Sequence, residues 1–370
     1  MSGPQEVLFR LLRIALGNES DCSLPSCVDW RKVIDLSFEQ GVAAIAVDGL
    51  QKIYDYQDGS SVQAFKALED LDSPELEDLK YEWFGEVMNA EQDFANQWEA
   101  ACDMGRLFRE KDIRTFVMKG FAVGQYYPIP QHRQCGDLDC YLLGDYEKAN
   151  RLMESLGIPV EYELYKHSKY SFEGLTVENH QFCIPVRGSK KNKALEKYLE
   201  SCIERPTATY IGDSYLETPS AMFNALFLTA RALIHSLSDG ISLRHVCDWG
   251  MFLKACTSEV DWEEFKAIAS RYGLLRFAES MTRLAFVVCG VEVPWIGDYT
   301  LQLQDERLLS DIFNHVDNEH MNGSLWNQRR ILVQHKLKSG WKYRTFTDTS
   351  VCGELLRNAY GLVFDRKPKL

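Results

Sequence analysis

The sequence predicts an α+β protein in which a small mixed-sheet core sits between two helical regions, and three observations carry that expectation. Residues 4 to about 112 place apolar side chains at helical spacing. From residue 113 the texture changes to short β-branched and aromatic runs separated by Gly and Pro. Beyond about residue 193 helical patterning returns and holds to the C-terminus. The expected division is therefore 1–112, 113–193 and 194–370, in keeping with the roughly 100–200 residues usual for a domain.

Composition narrows the class. Lys plus Arg number 41 and Asp plus Glu 54, giving a formal charge of −13, with 45% hydrophobic and 26% charged residues. Those fractions are ordinary for globular chains and exclude disordered, collagen-like and coiled-coil readings. The acidic excess weighs against non-specific nucleic-acid binding, which runs on phosphate neutralisation by Lys and Arg. A local basic patch can still hold one phosphorylated ligand. The opening MSGPQEVLFRLLRIALGNES lacks a basic stretch followed by a long apolar core, so no signal peptide is expected. No run of about 18 apolar residues occurs, so no membrane span is expected either. The eleven cysteines include only two close pairs, Cys22/Cys27 and Cys135/Cys140, neither matched by a second pair at zinc-ligand spacing. Reduced thiols in a cytoplasmic protein are the expected state.

The elements follow in order. Asp29 is placed to cap a helix opened by Trp30 and ended near Gly41, and the same device recurs at Asp261-Trp262 with Gly273. Ser73-Pro74 supplies a cap and a first-turn proline for one long helix from Glu75 to about Glu110. Its early acids Glu75, Glu77 and Asp78 suit the positive end of the helix dipole. A strand over 113–118 closes at Lys119-Gly120, a short helix covers 121–127, and Pro128 and Pro130 break the chain. A strand over 137–143 precedes a helix over 146–156 ended by Gly157. Two β-rich runs, 159–173 and 175–186, are joined by Glu173-Gly174. The core thus reads strand-helix-strand-helix-strand-strand. A basic loop, Arg187–Lys193, leads into helices over 194–204, 219–236, 243–255 and 262–272, with weaker helical segments to about 362.

The sharpest feature is Gly136-Asp137-Leu138-Asp139-Cys140-Tyr141-Leu142. Side chains alternate along a strand, so Asp137 and Asp139 share one face and Leu138, Cys140 and Leu142 the other. Two carboxylates on one face repel and need a cation, for which Mg2+ is suited as a hard ion with oxygen ligands. Taken alone the pair also reads as solvated edge carboxylates. In Thr176-Val177-Glu178-Asn179-His180, a third strand puts Thr176, Glu178 and His180 on a common face.

Taken together, Met118-Lys119-Gly120, Tyr126-Tyr127-Pro128, Arg133-x-x-Gly136-Asp137-x-Asp139, Val177-Glu178-Asn179-His180 and Leu243-Arg244-His245-Val246-Cys247-Asp248-Trp249 resemble a bacterial family of uncharacterised nucleotidyltransferases. The wider arrangement resembles the polymerase-β-type nucleotidyltransferase superfamily. The resemblance spans about 115–255 and implies a nucleotidyltransferase core working by a two-metal mechanism. An NTP would donate its nucleoside monophosphate to an acceptor hydroxyl on a small molecule, a protein side chain or an RNA end. The implied cofactor is two Mg2+ ions, with Mn2+ as a substitute. Asp137 and Asp139 would bridge the metals, and Glu178 would complete the acceptor-side site and take the hydroxyl proton. Lys119 and Gly120 stand where the superfamily usually carries Gly-Ser or Gly-Gly. The lysine departs from that broad pattern, fits the narrower family, and would bind a β or γ phosphate or else stand as a solvated cation.

Further candidates keep more than one reading each. Arg133 either clamps a phosphate or holds its loop through hydrogen bonds. His167 and Lys169 share a strand face that reaches the site or is simply half-exposed. His180 orients Glu178, contacts substrate, or is structural. Arg187, Lys190, Lys191 and Lys193 form a solvated loop or capture the triphosphate or the acceptor. Arg244, near His235, either touches the nucleotide or bridges to Asp248 four residues on. Trp249 and Trp341 stack a base or belong to the core. Two rival functions share these residues: a non-catalytic nucleotide-binding or scaffold protein, and a metal-dependent phosphohydrolase with water as acceptor.

Overall fold

The computed structural model describes residues 3–21, 23–25, 27–58, 74–163, 165–204, 209–212, 214–314 and 339–364. Helices α1 (Pro4–Ala15), α2 (Trp30–Glu39), α3 (Ala43–Asp58) and α4 (Pro74–Glu110) lead into strand β1 (Thr115–Val117). Helix α5 (Phe121–Gly124), a 3-10 turn (Pro130–His132), β2 (Asp137–Tyr141) and α6 (Tyr146–Ser155) follow, then β3 (Glu161–Glu163), β4 (His167–Phe172) and β5 (Leu175–His180). After α7 (Lys190–Glu204) come β6 (Thr209–Tyr210), β7 (Leu216–Thr218), α8 (Ala221–Ser238), α9 (Leu243–Cys256), α10 (Trp262–Arg271), α11 (Leu275–Cys289) and α12 (Leu303–Phe313). The described chain ends with α13 (Gly340–Phe346) and α14 (Val351–Phe364).

The capping devices read from the sequence are in place. The Asp29 carboxylate accepts the Lys32 amide, and Asp261 accepts those of Glu263 and Glu264. Each helix then runs into a glycine in the left-handed region, Gly41 at φ 64° and Gly273 at φ 65°. Ser73, the expected cap of α4, lies outside the described residues.

The sheet is mixed and runs β3-β4-β5-β2-β1-β7-β6. β2 lies parallel to β5 and antiparallel to β1, while β1 is parallel to β7. Three details differ from the sequence expectation. The run 159–173 is two strands, β3 and β4, paired as a hairpin. The run 175–186 leaves the sheet after His180, because the amides of Cys183 and Ile184 are taken by the buried Glu196 carboxylate instead of a neighbouring strand. The segment after 193 is not wholly helical: β7 completes the far side of β1, and three residues are too few to show a period of two. The basic loop is also shorter than expected, since α7 already begins at Lys190. Arg187 stacks 3.9 Å over the Tyr165 ring and Lys191 bonds Asp348 at 2.7 Å.

One sheet face is dry. Val117, Leu138, Cys140, Tyr170 and Val177 pack there against Ala101, Met104 and Phe108 of α4 and Ala149 and Met153 of α6. Burial of that face fixes the register that turns Asp137, Asp139 and Glu178 to the other side. The second face meets the helices, whose shared core runs from Val7 of α1 to Phe346 of α13. Among the described residues the ten cysteines are free thiols, and no helix is long and apolar enough to cross a membrane.

Candidate active site

The site is assembled where β1 ends and β2 begins, beside Glu178 of β5. After Val117 the chain must turn sharply into α5, and Gly120 does so at φ 56°, ψ −116°, a region that side-chain-bearing residues avoid. That turn presents Lys119, whose Nζ lies 2.8 Å from Asp139 Oδ2. Asp139 is 3% exposed and its other oxygen accepts from His180 Nε2 at 2.8 Å. On β5, Glu178 is the direct register partner of Asp139, and Thr176 that of Asp137. Glu178 Oε2 is 3.5 Å from His180 Nε2 and 3.7 Å from His167 Nε2, and its Oε1 is 3.8 Å from Lys169 Nζ. The acids expected to meet therefore do meet, and His167, Lys169 and His180 gather around Glu178.

The three carboxylates are held in different electrostatic states. Burial pushes Asp139 up, but Lys119 and His180 outweigh it and hold the group well below the usual carboxylate range. Glu178 is lowered, chiefly by its hydrogen bond to His180. Asp137 is raised, first by burial and then by the charges of Asp139 and Glu178. His180 is raised, because its bonds to the two acids overcome the effect of burial. Of the three acids, only Asp137 is disfavoured as an anion by its surroundings.

These residues line a cavity of about 1050 Å³, at the upper end of ligand-site volumes. Lys119, Gly120, Arg133, Asp137, Asp139, Glu178 and Arg244 form part of its wall. His167, Lys169 and His180 are not wall residues and reach the cavity through Glu178 and Asp139. The helical side is built from α2, α8, α9 and α12, including Gln40, Arg231, His235 and His245. Trp249 also lines it but is 2% exposed, stacked on Phe252 with its indole nitrogen bonded to Thr282. Trp341 lies elsewhere, under Arg307.

Of the two roles open to Arg133, the geometry displays the loop-holding one. Its Nε and Nη2 bond both oxygens of Asp248 at 3.0 and 2.6 Å, and Nη1 bonds the Gln134 carbonyl. Tyr127 Oη donates to the same Asp248 at 2.8 Å. The expected Arg244–Asp248 bridge is consequently replaced, since the planar fork of Arg133 occupies the carboxylate. Lys190, Lys191 and Lys193 do not line the cavity. Sequence reasoning missed Arg231; its only signal was a single arginine four residues before His235 in an otherwise apolar helix.

Among the described residues, His167, Glu178 and His180 form a group whose donor atoms lie within 4.8 Å of one another, close enough to hold a metal ion. The chain is thus an α+β protein whose mixed sheet presents acids to a large cavity lined on its other side by helices. The family comparison makes that class specific: the model of an uncharacterised nucleotidyltransferase family matches residues 26–290, and the chain belongs to that family. No curated protein and no solved structure matches the chain.

Proposed function

We propose that the chain transfers a nucleoside monophosphate from an NTP to an acceptor hydroxyl with release of pyrophosphate, as a member of the polymerase-β-type superfamily. The observation that carries this reading is the convergence of Asp137, Asp139 and Glu178 beside Lys119 on one wall of a nucleotide-sized cavity.

The donor set fits a hard divalent ion. Asp137 and Asp139 alternate along β2 with Glu178 as the register partner of Asp139, and Asp137 is raised partly by its neighbours' charge, the condition a divalent cation relieves. Carboxylate oxygens accept Mn2+ as well as Mg2+. Asp137, Asp139 and Glu178 would hold two such ions. When bound, they neutralise phosphate charge and acidify the acceptor hydroxyl.

The chain's own residues do the rest. Lys119 contributes a cation for the β or γ phosphate, and Gly120 lets the backbone turn without a side chain in the way. Lys119 and His180 keep Asp139 ionised and fixed. Glu178, kept ionised by His180, accepts the hydroxyl proton as the acceptor oxygen bonds the α-phosphorus. The bond from the α-phosphorus to the bridging oxygen breaks, and its electron pair leaves with pyrophosphate.

The test is a screen of α-labelled NTPs over cell extract. Transfer gives a labelled NMP adduct and pyrophosphate, whereas a phosphohydrolase gives free NMP or phosphate and a scaffold gives neither. Asp139→Asn is expected to lose turnover by several orders of magnitude with its fold intact, checked by circular dichroism. Comparable turnover in that variant would reject the role given to Asp139.

A further inference from the structure

The sheet supplies the acids of the cavity, and the facing helices supply cations. Arg231 and His235 stand four apart on one face of α8, and Arg244 comes from α9. Arg231 is the only Lys or Arg of α8, and its Nε is buried with no hydrogen-bond partner. No ion pair to Arg231 or to the Arg244 side chain is present among the described residues. The natural partner of Arg244, Asp248, is taken by Arg133. The Arg244 stem packs on Gly41, and His235 is tied to Asp239 at 3.1 Å. His245, on the same wall, is pushed down to about 3, first by burial and then by the charges of Arg244 and His235.

A buried Nε on a cavity wall, with no partner of its own, is satisfied when an anion binds there. Arginine forks match phosphate in particular. Arg231 lines the same cavity as Glu178 and acts electrostatically on His180, which bonds Asp139 at 2.8 Å and lies 3.5 Å from Glu178; Glu178 is the proton acceptor of the proposed reaction. Lys119 and Gly120 serve the nucleotide side.

Resting on the function proposed above, we infer that Arg231 and Arg244 form an anion subsite for a phosphate carried by the acceptor. The acceptor is then a small phosphorylated hydroxyl compound, because the formal charge of −13 disfavours a polyanion such as RNA.

Calorimetry with inorganic phosphate, in the absence of divalent metal and NTP, tests the subsite. Wild-type protein is expected to bind phosphate, and Arg231→Gln and Arg244→Gln each to weaken it tenfold or more. Both variants should bind a non-hydrolysable Mg-NTP within about threefold of wild type. Asp137→Asn should lose Mg-NTP while still binding phosphate, so failure of the nucleotidyl-transfer reading would leave this readout intact. Half-buried Arg244 gives a second variant should Arg231→Gln not fold. Phosphate binding that is absent, or unaffected by either change, would overturn the proposal. An equal loss of Mg-NTP in the arginine variants would assign the subsite to the nucleotide and overturn it too. So would tight binding of single-stranded RNA that depends on both arginines.

Discussion

Lys119 Nζ sits 2.8 Å from Asp139, a contact that serves two purposes: it keeps the acid charged and leaves a cation at the cavity wall. A hydrogen bond to a charged group contributes about 1.5–3 kcal/mol. Lys119→Ala is therefore expected to weaken NTP binding roughly 10- to 100-fold by calorimetry, and unchanged affinity would return Lys119 to the role of a solvated cation. At this scale much was legible. The period of two placed Asp137 with Asp139, and it placed His167, Lys169, Glu178 and His180 on faces that do meet across β4, β5 and β2. Contacts between distant segments were not legible. Arg133 and Asp248 are 115 residues apart, and local spacing offered Asp248 the wrong partner, Arg244. Arg231 escaped notice because its significance comes from what the folded cavity withholds from it.

At the scale of elements, the loop from α5 to β2 is anchored to α9 by a buried ion pair. Truncating one side of such a pair typically costs about 3–5 kcal/mol, whereas an apolar replacement of both partners costs far less. Arg133→Ala should lower the denaturation midpoint accordingly, and Arg133→Met with Asp248→Leu should recover most of the loss. A second element contact depends on a missing side chain. Gly49 of α3 crosses α1 so closely that a Cβ would lie 2.0 Å from the Leu11 carbonyl oxygen. Gly49→Ala forces the two helices apart and should cost about 1–3 kcal/mol or more, read as a drop in thermal midpoint. Wild-type stability in Gly49→Ala would contradict that packing. The helices themselves were legible because capping is local: Asp29, Asp261, Gly41 and Gly273 mark ends that need no tertiary information. β6 and β7 were not, since strands of two and three residues exist only because β1 offers β7 an edge and β7 offers one to β6.

Across the whole molecule, His132 connects the N-terminal helices to the site. Its Nδ1 lies 2.8 Å from the Asp48 oxygens on α3 and its Nε2 3.1 Å from Glu91 on α4, one residue before Arg133. Burial pulls His132 down, but these two acids outweigh it and its value is raised. Below the unfolded imidazole value of about 6.5 both states are protonated and the contribution is complete; it is lost as pH rises through the raised folded value. The thermal midpoint should fall as the pH is raised from mildly acidic to mildly alkaline, and His132→Gln should flatten that slope. An identical slope in the variant would reject the contribution. This link passes through one core that joins α1 and α3 to α8, α9, α11 and α12, which a sequence divided by texture into three segments does not announce. The central claim is that Asp137, Asp139 and Glu178 act together to hold divalent ions under a triphosphate. Calorimetry of a non-hydrolysable NTP with and without Mg2+, on wild type and Asp137→Ala, tests it most directly. Binding is expected to require Mg2+ and to be lost in the variant; binding that is absent, or indifferent to both the ion and the substitution, would rule out the shared metal site.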